Sequence, residues 1–201
     1  MAIYGRRSTC LPVYSTLVGT SCVWKPAEKE KTVVCRGNLV HNGGFEVWKS
    51  PYEAQGWSGS NVLSSSCAHT GIASVQLSLA ERKECNLFEC LPSSISQDVH
   101  VCPGTMLLLK FYIALLVTKE TVDTNCGNPP LQATLTWLDV NGCEVGPGIC
   151  LSIPARTLGP GWFYYDGRSS TVPSDVKTAR LVFAKSKGLP ILLDDVSLIF
   201  L

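Results

Sequence analysis

Three carboxylates sit where the surrounding residues ask for chemistry. Glu46 closes the run Asn38-Leu39-Val40-His41-Asn42-Gly43-Gly44-Phe45-Glu46, and Asp194 and Asp195 lie inside Leu193-Asp194-Asp195-Val196-Ser197-Leu198. All three are beside apolar residues of strand character, where a charge is costly unless it is paired, hydrogen-bonded or bound to a metal. Gly43-Gly44 lets the backbone turn tightly just ahead of Glu46. By the two-residue strand period Asp194 shares a face with Val196 and Leu198, and is expected to point inward. The plainer alternative is that the acids cap loops at a sheet edge.

The aromatic residues raise a different chemistry. Sugar recognition needs exposed ring faces with a few polar groups for orientation. Trp48 and Tyr52, in the polar loop after Glu46, and Tyr164 and Tyr165 are the candidates. Trp137 shares its parity with Leu135 and Ala133 and is expected in the core. No face shows a row of aromatics. Catalysis has little to build on. His41, His69 and His100 have no nucleophile motif nearby, and Gly56-Trp57-Ser58-Gly59 is one residue short of a nucleophile elbow. The expectation is a protein that is not an enzyme.

Ten cysteines, at positions 10, 22, 35, 67, 85, 90, 102, 126, 143 and 150, point to an oxidising destination. Buried free thiols are the alternative, and spacing does not fix a pairing. Zinc is disfavoured: no Cys-x-x-Cys occurs, and neither Cys67-Ala68-His69 nor Cys85 with Cys90 has a second half at ligand spacing.

The elements that must position these residues are strands. Val75, Leu77 and Leu79 alternate with Ser74, Gln76 and Ser78, and Ile95, Gln97, Val99 and Val101 alternate with Ser96, Asp98 and His100. Pro103-Gly104 marks a turn before Met106–Val117, which reads as a central strand buried on both faces. Leu131–Val140, the Asn141-Gly142 hairpin signal, Thr178–Ala184 and Ile191–Phe200 complete the set. The fold class expected is all-β, an antiparallel β-sandwich over residues 32–201 with its first and last strands adjacent. Residues 1–31 read as an extended N-terminal arm and linker, with Cys10, Cys22, apolar patches and the charged run Lys25–Lys31; Cys35 follows in a short strand.

Charged residues make up 16% of the 201-residue chain and hydrophobic ones 45%, so a large core is available and global disorder is excluded. A net charge of +1 with no basic run gives no reason to expect nucleic acid. Met106–Val117 is too short to span a bilayer. Arg6-Arg7 is not followed by the continuous apolar stretch that an export signal requires.

In order along the chain stand Asn42-Gly43-Gly44-Phe45-Glu46, Gly56-Trp57, Gly71-Ile72-Ala73-Ser74, Ile95-Ser96-Gln97, Pro103-Gly104, Gly161-Trp162 and Leu193-Asp194-Asp195-Val196. The series resembles galactose-binding-like jelly rolls, in particular carbohydrate-binding modules of families 4 and 9, over residues 38–201. The resemblance implies a jelly roll, core positions for Trp57 and Trp162, and a structural calcium held by Glu46 with Asp194 or Asp195, helped by backbone carbonyls. It also implies a glycan as one candidate partner. The overall plan, a cysteine-bearing arm ahead of a jelly roll, is similar to that of endospore appendage subunits. From it follows the expectation of a non-catalytic structural subunit of an extracellular or spore-surface fibre or coat. It would polymerise with itself through the arm, with Cys10, Cys22 and Cys35 as intermolecular disulphide candidates. The alternative is a carbohydrate-binding module-like protein recognising a surface glycan.

Overall fold

The computed structural model describes residues 36–78, 92–116, 131–154, 158, 161–186 and 189–201. The arm at 1–31 and Cys10, Cys22 and Cys35 lie outside them. Twelve strands follow in chain order among the described residues: β1 (Trp48–Ser50), β2 (Glu53–Ala54), β3 (Ser58–Ser60), β4 (Val62–Ser65), β5 (Ser74–Leu77), β6 (Ser93–His100), β7 (Leu107–Leu115), β8 (Leu131–Leu138), β9 (Glu144–Ile153), β10 (Trp162–Arg168), β11 (Thr178–Lys185) and β12 (Ile191–Phe200). Two five-stranded sheets form, in the orders β10-β7-β12-β5-β4 and β3-β6-β11-β8-β9, with β1-β2 as a small separate hairpin. Every pairing is antiparallel. This is the antiparallel sandwich expected from the alternation, in the jelly-roll form that the resemblance implied.

The core lies between the sheets, where the inward residues of each strand meet. Leu107, Leu109, Phe111 and Ile113 of β7 face Ile95 and Val99 of β6, Ala133, Leu135 and Trp137 of β8, and Leu181 and Phe183 of β11 in one buried cluster. Aromatic rings run through it in sequence. Phe45 meets Trp57 at 5.2 Å, Trp57 meets Phe183 at 6.4 Å, and Phe183 stands edge-on to Phe111 at 5.0 Å. Trp57 and Trp137 are therefore core residues, as expected. Gln97 is one of the polar residues on inward positions, with Ser93 and Lys185. Its amide donates to His41 O and Gly56 O and accepts from His41 N, tying two loops to β6.

The turns fall where their residues allow a left-handed backbone. Gly104 (φ +78°) follows Pro103 ahead of β7, and Gly142 (φ +81°) closes the β8–β9 hairpin. Two strands depart from the sequence reading. β5 is buried on both faces rather than half-buried, because Ser74 is covered by the preceding loop and donates to Cys67 O, while Gln76 donates to Ser78 O. β7 is buried on one face only: Leu108, Lys110 and Tyr112 are half-exposed, and Met106, ahead of the strand, is 40% exposed. Among the described residues, His69 stacks on that outer face at Tyr112, and Ala114 is buried there.

The first and last segments are adjacent, joined mainly through the loop at 38–43. Asn38 makes a single antiparallel bridge to Ile199. Leu39 N donates to Leu198 O, Leu198 N donates to Asn38 Oδ1, and Val196 N donates to Gly43 O.

Candidate functional site

The three carboxylates come together at the middle of β12, around the loop 67–73. β12 carries a β-bulge there: Asp194 pairs with Tyr112 but the next partners are Ser197 and Lys110, so one residue is extra, and Asp195 adopts φ +49°. The bulge reverses the parity argument. Leu193 packs into the core, Asp194 lies on the outer face beside Tyr112, and only after the extra residue do Val196 and Leu198 return inward. Asp194 is fully buried, yet beneath loop 67–73 rather than between the sheets.

Each acid has distinct partners. Asp194 Oδ2 accepts from His69 N (2.8 Å) and Thr70 N (3.4 Å), and its Oδ1 accepts from Asp195 N (2.8 Å). Burial pushes its carboxyl up to about 6, against the opposing pull of these amides. Asp195 reaches His69 Nδ1 at 2.6 Å and accepts from Thr70 Oγ1 at 2.7 Å. Glu46 accepts from Ile72 N through both oxygens, at 3.1 and 3.0 Å. A Cβ at Gly44 would lie 3.6 Å from Asp195 Oδ1 and 3.8 Å from Glu46 Cγ, so the bare glycine sits between the two carboxylate side chains. The donor set is hard oxygen, which suits calcium. Among the described residues, no group of three His, Cys, Asp or Glu side chains is placed to hold a metal. A cation here would draw on backbone carbonyls, and Asp194 has its oxygens committed to amides.

A second feature occupies the outer face of the other sheet. A groove of about 370 Å³ is lined by Gly56, Ser58, Ser96, Gln97, Asp98 and Arg180. Arg180 and Asp98 are cross-strand partners on β11 and β6. They form a two-point pair, Nε to Oδ1 at 2.7 Å and Nη2 to Oδ2 at 2.8 Å. Outward parity on two legible strands could have singled out this pair; only its juxtaposition was hidden.

The four aromatic candidates separate. Trp48 packs against the core and donates through Nε1 to Phe45 O. Tyr165 turns inward and stacks on Phe111 at 5.8 Å. Tyr52 (61% exposed) is on the β1–β2 hairpin beside β4, and Tyr164 (46% exposed) is on β10. β4 and β10 are opposite edges of one sheet, about 19 Å apart at ordinary strand spacing, so no single ring plane uses both. Trp162, expected in the core, is instead half-buried on the outer face: its partner on β7 is Ala114, whose neighbours Phe111 and Ile113 take the inner positions. His69, weighed above only for catalysis and zinc, and Tyr112 stack on each other at 3.7 Å. Of the cysteines, Cys67 is free and exposed, while Cys102, Cys143 and Cys150 are disulphide-bonded.

No protein-family model matches this chain. No curated protein matches it either. Solved structures do, at the level of fold. The enzymatically active domain of bacteriophage CBA120 tailspike protein 4 aligns with a TM-score of 0.60 and 20% identity over 82% of this chain, but this chain spans only 21% of that one. A carbohydrate-binding module, TmCBM61, solved in complex with β-1,4-galactotriose, aligns with a TM-score of 0.51 and 19% identity, covering 82% of this chain and 99% of that one. A family 16 carbohydrate-binding module aligns with a TM-score of 0.52 and 17% identity, over 81% and 99%. These likenesses establish the jelly-roll fold of carbohydrate-binding modules. The similarity in plan to endospore appendage subunits rests on the arm, outside the described residues.

Proposed function

We propose that this domain is a non-catalytic carbohydrate-binding module acting outside the cytoplasm. The observation that carries this reading is the open groove along β3, β6 and β11, with the Asp98–Arg180 pair on its floor. A fixed carboxylate and guanidinium, flanked by Ser58 and Ser96 hydroxyls, match the paired donors and acceptors of sugar hydroxyls. Modules of the same fold, which this chain spans almost whole, include one solved with a galactotriose. Among the described residues, the disulphide-bonded Cys102, Cys143 and Cys150 suit an oxidising compartment. The reading as a self-polymerising subunit draws on the arm alone and gains no support from the described residues.

Among the described residues the groove lining contains no aromatic ring, so binding there rests on hydrogen bonds and a dissociation constant near millimolar is expected, about −4 kcal/mol. Titration with xylo-, gluco- and galacto-oligosaccharides, followed by amide shifts of Ser96 and Asp98, tests it. Arg180→Ala should weaken binding about tenfold or more while changing stability by under about 1 kcal/mol, because the pair is exposed. If no oligosaccharide moves those amides at millimolar concentration, the reading fails.

We further propose that Glu46 and Asp195 hold a structural calcium, with Asp194 positioning loop 67–73 rather than ligating. The ion would bridge the start of the domain to its last strand and stabilise the folded state by mass action. Calcium at a hundredfold excess over its dissociation constant is expected to add about 2.7 kcal/mol, reversed by chelator. Glu46→Gln with Asp195→Asn should remove that gain. An unchanged Tm on adding calcium to the chelator-treated wild type would dismiss the site.

A further inference from the structure

The sheet opposite the groove carries, on the outer face of β10 and β7, an aromatic strip that the groove does not use. Tyr164 and Tyr112 are direct cross-strand partners with ring centroids 5.3 Å apart. Trp162 stands two residues before Tyr164 on the same face. His69, reaching over from loop 67–73, stacks on Tyr112 at 3.7 Å and meets Trp162 edge-on at 5.6 Å. Lys110 and Asp166 are the next cross-strand pair, and Arg168 follows at the end of β10.

We propose that this strip is a second binding surface, which takes a pyranose ring of a glycan chain with its C–H face against Tyr164 and Trp162 and its hydroxyls towards Asp166, Lys110 and Arg168. The rings are already held in place. Tyr164 is hydrogen-bonded to Asp166, Tyr112 is clamped by His69, and His69 is fixed by Asp195 at 2.6 Å. Little side-chain freedom is lost on binding, which is what makes a shallow aromatic site effective. Size decides against a protein partner. The strip is two strands wide, about 10 Å, a width that matches a sugar ring rather than the roughly 800 Å² that each side of a stable protein interface buries. Lys110 and Asp166 lie side by side, so the border of the strip offers both donors and acceptors to sugar hydroxyls. Ring faces bordered by one acid and two bases are the chemistry of a neutral sugar.

The site is independent of the groove, and the two are read by different signals. The full chain has five tryptophans, and Trp162→Phe identifies the Trp162 indole N–H resonance by its disappearance. Xylo-, gluco- and galacto-oligosaccharides are then titrated at millimolar concentration. The expected result is that one of them shifts the Trp162 indole in both the wild type and Arg180→Ala. Tyr164→Ala should weaken that response at least tenfold, and Tyr164→Phe, which keeps the ring, by no more than about threefold. Sugars that move only the Ser96 and Asp98 amides, sugars that move nothing, or a Tyr164→Ala variant that responds like the wild type would each overturn the strip as a site. The Trp162 signal itself does not depend on whether the groove binds.

Discussion

Gly43→Ala is expected to cost about 3 kcal/mol of stability, the upper part of the range for forcing a methyl into a packed site, and to lower Tm by roughly 6–12 °C. The reason is backbone against backbone. A Cβ at position 43 would lie 1.9 Å from Val196 O and 3.0 Å from Val196 C, distances no rotamer change relieves. Separation of the two chains would also break the bond from Val196 N to Gly43 O, 2.9 Å long. That bond ties the opening loop to the bulge that aims Asp194 and Asp195. Two neighbouring glycines calibrate the effect. Gly44→Ala makes only ordinary contacts, the nearest at 3.6 Å, and should cost well under about 1 kcal/mol. Gly71→Ala would place its Cβ 1.9 Å from Glu46 Oε1, but that is the far end of a flexible side chain. Its cost is the left-handed backbone at φ +67°, about 1–2 kcal/mol, together with displacement of Glu46 from Ile72 N. Thermal or urea unfolding of the three variants measures the order. A Gly43→Ala protein as stable as Gly44→Ala would mean that the loop does not sit against β12 as described.

The same bulge marks where sequence reasoning stops. Periodicity located β6, β8, β11 and β12, and it placed Trp137 inward, because an uninterrupted strand presents alternate residues to one face. At Asp194 it failed by a single residue. Nothing in Leu-Asp-Asp-Val announces that Asp195 takes a left-handed backbone, and one extra residue exchanges the faces of everything beyond it. β5 failed for another reason: Ser74 and Gln76 look like solvent-facing residues, yet Ser74 lies under the preceding loop, bonded to Cys67 O, and Gln76 turns its amide to Ser78 O. Trp162 and Tyr165 were exchanged because the register of β10 against β7 is a tertiary property. His69 and Tyr112 are far apart in sequence, so their stack carries no local signal. The acids were legible because charge beside apolar residues demands an explanation wherever it occurs.

Asp194→Ala is the second substitution with a large expected effect, about 3 kcal/mol at neutral pH. The carboxylate accepts from the amides of His69, Thr70 and Asp195. Removing it leaves those donors beneath a loop with nothing to receive them, at about 1–3 kcal/mol for each that water cannot reach. The loss extends beyond stability. His69 clamps Tyr112 and is held through the same loop, so releasing residues 69–70 should loosen the aromatic strip and weaken the Trp162 response to sugar. Asp194→Asn keeps the shape but turns an NH2 towards amide donors, and should fall between alanine and the wild type. pH separates charge from shape. Burial raises the Asp194 carboxyl to about 6 in the folded protein, above its unfolded value near 3.8. The folded state therefore binds the proton first as pH falls, and this group adds stability from about pH 6 down to about pH 4, which is lost again as pH rises through 6. Depressed carboxylates do the reverse. Measured in chelator, the stability gap between the wild type and Asp194→Asn should widen by about 2–3 kcal/mol between pH 7 and pH 4, following the size of the shift. A gap that stays constant over that interval would show that the amides, not desolvation, govern the buried carboxylate.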